Sequence, residues 1–155
     1  MAEFSLTHRF DCSPEEYWEV VESPDFLKRL GSELDATVEV IDGGGEEVQL
    51  WRVTYARELP GVMKKVLGVD QFQFDLRREL QGTKAPWKLT TSFLKDRVDA
   101  AGLIVVDGQA GGCERRVEGE VTIRLALMGK KMERKLSERI EQFYEASATV
   151  VAELI

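Results

Sequence analysis

The sequence predicts an α+β fold: a seven-stranded, curved antiparallel sheet wrapped round one long C-terminal helix, with two short helices after the first strand. Three observations predict it. Polar and apolar residues alternate over much of Ala36 to Leu127, as in strands with one wet face. Two serine-proline pairs, Ser13-Pro14 and Ser23-Pro24, mark helix starts directly behind an opening strand. From Gly129 to Ile155 the apolar spacing changes to three and four.

In the opening segment Phe4, Leu6, His8 and Phe10 share one face of a strand, with Glu3, Ser5, Thr7 and Arg9 on the other. "CSPEEYWEVVE" then starts a helix, with Ser13 as cap, Pro14 in the first turn and Glu16 placed for a capping box. "SPDFLKRLG" repeats the signal, and Gly31 is expected to close this helix in the left-handed conformation. Six strands follow, near Ala36 to Ile41, Glu47 to Arg57, Val69 to Leu80, Trp87 to Asp96, Gly102 to Asp107 and Glu114 to Leu127. The glycine-rich stretches "DGGGEE" and "GQAGG" lead into strands rather than opening helices, so they read as hairpin turns and not as phosphate loops. "LPGVMKKVLG", Leu59 to Gly68, is the one connection with much apolar content of its own. The last helix carries Met132, Leu136, Ile140, Phe143, Val150 and Leu154 in one stripe, with Met128 just before it.

The 155 residues fit one domain, 1–155, and 43% apolar with 32% charged residues suits a folded chain. A net charge of −7 argues against nucleic-acid binding, which needs a positive field over much of the surface. The first ten residues alternate in polarity and do not read as a secretory signal, and no stretch approaches the roughly 20 apolar residues of a membrane span. Cys12 and Cys113 have neither metal spacing nor disulfide-scaffold density, so they are expected to be free thiols in a cytoplasmic protein.

An amphipathic helix behind seven antiparallel strands has only the concave face of the sheet on which to bury its stripe, and a strongly bent sheet leaves room for a cavity. This layout resembles the START-like, helix-grip (SRPBCC-type) superfamily, which includes pathogenesis-related pollen allergens, lipid-transfer domains and polyketide cyclases. More narrowly, "HRFDCSPEEYWEVVESPDFLKRL", "LPGVMKKVLG" and "LMGKKMERKL" resemble an uncharacterised bacterial family known only as a domain of unknown function. In that family the strand-glycine-helix joint is followed by a glutamate, matched here by Gly129 and Glu133. The resemblance covers the whole chain and implies a fold, with no assigned activity to transfer.

Within such a fold the alternation assigns a pocket lining. Trp51, Val53 and Tyr55 come from one strand, Phe72, Phe74 and Leu76 from the next, then Trp87, Leu89 and Phe93, and Val121 from the last. These should face Met132, Leu136, Ile140 and Phe143 on the helix, either as cavity walls or as plain core. His8, Tyr55 and Thr91 are the polar groups that could orient a ligand. Arg78 falls on the apolar parity of Phe74 and Leu76; it is either buried and in need of an anion, or turned to solvent by a bulge or strand end.

Strand directions collect Lys64, Lys65, Lys95, Arg97, Lys130, Lys131, Arg134 and Lys135 at one end, the end at which ligands enter in the resembling families. Met63, Lys64, Lys65, Lys130 and Lys131 would form an entrance collar, able to meet an anionic headgroup or, transiently, an anionic membrane surface. The alternative is a solvated face balanced by Asp96, Asp99, Glu133 and Glu138.

For catalysis the sequence offers little. His8 is the only histidine, no serine or cysteine has a recognisable base, and no carboxylate, histidine and cysteine cluster suggests a metal, so neither metal nor cofactor is expected. The expected function is non-enzymatic binding or transport of a hydrophobic small molecule, lipid or isoprenoid-like. A cyclase or dehydratase using His8, Tyr55 or Arg78, and a chaperone-like domain gripping a partner protein, are the alternatives.

Overall fold

The computed structural model describes residues 1–41 and 47–155. The chain runs β1 (Ala2–Phe10), α1 (Pro14–Glu22), α2 (Pro24–Leu34), β2 (Ala36–Val40), β3 (Val48–Glu58), α3 (Gly61–Leu67), β4 (Gln71–Glu79), β5 (Lys84–Thr91), β6 (Val98–Gln109), β7 (Gly112–Ile123) and α4 (Gly129–Leu154). The strands form one seven-stranded antiparallel sheet in the order β1-β7-β6-β5-β4-β3-β2. The curved sheet holds α4 against its concave face, which is the helix-grip arrangement. β1 and β2 are its two edges, and α1 and α2 carry the chain from one to the other.

The local signals act largely as expected. The Glu16 N–H donates to Ser13 Oγ at 3.2 Å and the Phe26 N–H donates to Ser23 Oγ at 3.2 Å, so each serine satisfies an amide that the helix start leaves without a partner. Ser23 also donates its hydroxyl to the Val20 carbonyl at 2.7 Å, closing α1 with the same side chain that opens α2. The "GQAGG" turn joins β6 to β7, with Gln109 opposite Gly112. The turn expected at Asp42 to Glu47 falls, apart from Glu47, outside the described residues.

Five expectations need correction. The strand expected at Trp87 to Asp96 is β5, Lys84–Thr91; it ends early because the Thr91 hydroxyl donates to the Phe93 carbonyl in a turn and a single 3-10 turn follows at Lys95–Arg97. Gly31 does not end α2; the helix runs one turn further and the left-handed position is Asp35, with φ 53°. Gly31 is needed for another reason: a Cβ there would lie 2.7 Å from the Ala36 carbonyl oxygen, where α2 crosses the start of β2. The Leu59 to Gly68 connection contains a helix, α3, with Leu67 buried and Val62 exposed. β6 begins at Val98, four residues before the expected start, because pairing with β7 overrides the weak strand preference of Asp99, Ala100 and Ala101. β7 stops at Ile123, so Leu125 and Leu127 do not continue its inward face. The Leu125 N–H turns back to the Ile123 carbonyl, and Leu127 is fully exposed at φ 70°.

The α4 stripe is buried as expected from Met132 through Val150, with Leu154 half-buried, but the buried face is wider than the apolar pattern shows. Glu133, Ser137, Tyr144, Ser147 and Val151 are buried too.

Candidate functional site

The joint between β7 and α4 orients the helix over the sheet. Gly129 begins α4 so close to the strand end that a Cβ would sit 2.7 Å from the Ile123 carbonyl oxygen. One turn on, the buried Glu133 carboxylate accepts from the Ile123 N–H at 2.8 Å and from the Met1 ammonium at 2.8 Å. Those two donors hold its pKa below the ordinary carboxylate value. The glycine permits the close approach and the glutamate fastens it.

Beside this joint, α3 and the first half of α4 enclose a cleft of about 160 Å³. Leu59, Pro60, Met63 and Leu67 form one wall, Phe72, Phe93 and Ile123 the floor, and Met132, Lys135, Leu136 and Arg139 the other wall. Of the fourteen side chains assigned to a lining from the sequence, all are buried, and Phe72, Phe93, Met132 and Leu136 border this cleft. The others pack among themselves. Phe74 meets Phe143 edge to face at 5.7 Å, Trp87 lies 6.1 Å from the Tyr144 ring, Trp51 packs against Phe26, and Val53, Leu76, Leu89, Val121 and Ile140 fill between. Tyr55 is buried against Phe72, and its hydroxyl has no hydrogen-bond partner. Tyr144, Arg78 and Arg115 are buried in the interior and do not line the cleft.

Of the collar, Met63 reaches the cleft wall. Lys64 pairs with Glu58 at 2.7 Å, while Lys65, Lys130 and Lys131 stand exposed outside the lining. The charged groups that border the cleft are Lys135 and Arg139. Arg139 was not among the expected site residues, although it follows Lys135 by one helical turn along the edge of the apolar stripe.

The expected polar groups do not converge. His8 sits between Arg115, whose Nη2 lies 3.1 Å from its Nδ1, and Glu145, 3.0 Å from its Nε2. An arginine can only donate, so Nδ1 accepts and the neutral ring carries its proton on Nε2, toward the carboxylate. Thr91 donates to the Phe93 carbonyl at 2.6 Å within its own turn. Arg78 points inward and is 2% exposed, because β4 stays regular through Glu79; no bulge turns it to solvent. Its guanidinium lies 4.0 Å from the Trp51 ring centroid, with no carboxylate paired to it among the described residues, and burial pushes its pKa down.

Arg115 is a second buried guanidinium that the sequence reading did not single out. It donates to Tyr17 Oη at 3.0 Å, Ser147 Oγ at 2.9 Å and the Tyr144 carbonyl at 2.9 Å, besides its contact with His8. The signal was present, since extending the parity of Val117 and Val121 two residues back places Arg115 inward.

The family model described as "Protein of unknown function (DUF2505)" matches residues 5–155. No curated protein matches the chain by sequence. Among solved structures, the Zhui aromatase/cyclase from Streptomyces sp. R1128 is similar at a TM-score of 0.68 and 14% identity, covering 98% of this chain and 92% of that one. Ara h 8.0201 is similar at 0.63 and 11%, covering 97% of each chain. Norcoclaurine synthase from Thalictrum flavum, solved with dopamine and hydroxybenzaldehyde, is similar at 0.61 and 16%, covering 98% of this chain and 87% of that one. At these identities the likeness is one of fold.

Proposed function

The chain belongs to the DUF2505 family of proteins of unknown function, and from the geometry of its interior we propose that it binds a small hydrophobic molecule in the cleft between α3 and α4, without transforming it. The observation that carries this reading is the cleft itself: nine of its eleven lining residues are apolar, and it opens beside a densely aromatic core. Each Å² of apolar ligand surface removed from water there contributes about 25 cal/mol.

Fold neighbours support the reading in kind. The norcoclaurine synthase structure holds two small organic molecules, on the scale of a cleft this size. The α3 helix is the natural gate. It spans seven residues, has no side-chain cap at its N-terminus, and contributes Met63 and Leu67 to one wall. The aromatase/cyclase likeness raises an enzymatic alternative, but none of His8, Tyr55 and Arg78 lines the cleft.

Solvent extraction of the purified protein followed by mass spectrometry, together with heteronuclear NMR titration against small apolar compounds, tests the proposal. The expected result is a co-purifying or titrating molecule that shifts Met63, Phe72, Met132 and Leu136, and loss of those shifts when Met63→Trp fills the space. No extracted molecule, no titrating compound and a stoichiometric protein partner on pull-down would transfer the weight to a partner-gripping domain.

A further inference from the structure

The cleft has a charge bias that its chain does not share. The sequence holds 28 acidic against 21 basic residues, yet the two charged groups bordering the cleft, Lys135 and Arg139, are both cationic. They stand four residues apart on α4, one turn above the other. Neither forms an ion pair among the described residues.

Arg139 forms no ion pair but rests on two rings: its guanidinium carbon lies 4.8 Å from the Tyr55 ring centroid and 5.3 Å from that of Phe72. Tyr55, a residue 7% exposed, supplies one of those rings without itself lining the cleft. One fork of donors thus stands at the charged edge of an apolar cleft.

Arg139 also borders an outer hollow, lined by Tyr55 as well, that carries Glu33, Glu138, Glu141 and Glu145. An anion approaching from that side meets four carboxylates, whereas the α3 side offers Lys135. The approach is therefore through the cleft mouth. A single planar negative charge matches the guanidinium fork, and a doubly charged phosphate would be repelled more strongly by the carboxylates behind the partition.

We propose that the ligand is an apolar monocarboxylate, a short fatty-acid-type molecule, whose carboxylate is held by Arg139 with Lys135 beside it and whose tail fills the cleft floored by Phe72 and Phe93. The proposal rests on the reading of the cleft as a ligand site, and its test separates the two. Octanoate, 1-octanol and octyl phosphate are titrated into the full chain near neutral pH by calorimetry and NMR, with Arg139→Gln, Arg139→Lys and Tyr55→Phe beside the wild type.

Octanoate is expected to bind roughly tenfold or more tighter than octanol, since hydrogen bonds to charged groups are the stronger kind, and tighter than octyl phosphate. Arg139→Gln should collapse that octanoate-to-octanol ratio to near unity. Arg139→Lys should leave it intermediate because the charge stays and the fork is lost, and Tyr55→Phe, which keeps a ring under Arg139, should leave it near the wild-type value. Thermal unfolding of each variant checks that it folds, and the wild-type ratio stands as a test even if one does not. Equal or tighter binding of octanol, preference for octyl phosphate, or an Arg139→Gln ratio like that of the wild type overturns the carboxylate assignment while leaving the cleft as a binding site. Failure of all three compounds to bind overturns both.

Discussion

Arg78 sits over Trp51, its guanidinium carbon 4.0 Å from the ring centroid, and no carboxylate among the described residues neutralises it. Its Nε has no hydrogen-bond partner. A buried cation compensated mainly by an aromatic face is poorly solvated, because the ring replaces only part of the lost hydration. Arg78→Met keeps the bulk and removes the charge. Urea denaturation should show stability unchanged or raised, by up to about 1–4 kcal/mol. A fall of more than about 1 kcal/mol would mean that the guanidinium makes polar contacts worth more than its desolvation.

Arg115 should respond in the opposite sense. Its two terminal nitrogens serve Tyr17, Ser147, His8 and the Tyr144 carbonyl. Arg115→Met removes the donors and leaves buried acceptors without partners, a loss of about 2–4 kcal/mol in the same denaturation measurement. The pair of substitutions, alike in chemistry and both in the core, separates hydrogen-bonded burial from bare burial.

Tyr144 gives a pH signature. Burial pushes its phenol up to about 12, and its hydroxyl has no hydrogen-bond partner. The unfolded chain ionises this group near its ordinary value of 10.0. Between those values the folded state holds the proton and the unfolded state does not, so this contribution is fully present below about pH 10 and is lost as pH rises through about 12. Unfolding titrations of the wild type and Tyr144→Phe at alkaline pH should therefore diverge, with the wild type losing on the order of 2 kcal/mol more across that window.

Gly129→Ala tests the joint. Helix propensity alone would favour alanine by up to about 1 kcal/mol, but the new Cβ meets a backbone oxygen that has no flexible side chain to yield. The contact should win, lowering stability by about 1–3 kcal/mol and shifting the Ile123 amide resonance as its bond to Glu133 lengthens.

The two cysteines should be chemically quiet. Cys12 and Cys113 are buried and free, and burial raises the pKa of both thiols, that of Cys113 to about 12. Because the thiolate is the reactive form, a disulfide-exchange reagent should label the native protein far more slowly than the urea-unfolded chain. Labelling at equal rates would mean that the β1–α1 corner opens readily.

The two periods, two and then three-to-four, were enough to read the sheet, α4 and most of the buried side chains, since burial follows parity wherever a strand is regular. Ends were less legible. β7 stops at Ile123 although the alternation continues through Leu127, because the glycine joint rather than hydrophobicity decides where the chain turns. The Leu59 to Gly68 segment looked like a connection because its seven helical residues show barely two turns of periodicity.

For the site, parity identified Phe72, Phe93, Met132 and Leu136 as inward, but it could not say which inward residues touch open space. That depends on how buried neighbours as large as Tyr144, Arg78 and Arg115 pack. Arg139 escaped notice because a charged residue at the rim of an apolar stripe looks like ordinary surface until the rings beneath it are in place.

The corner at Ser23 has a consequence for how the molecule can breathe. One hydroxyl oxygen takes the Phe26 amide in the first turn of α2 and hands its proton to the last turn of α1, so a single side chain ties the elbow between the two free sheet edges. The buried Tyr17, Val21, Phe26 and Leu30 hold that elbow against the rest of the fold. Any widening needed to admit a guest is thereby left to the opposite rim, where the short helix α3 is the piece least encumbered.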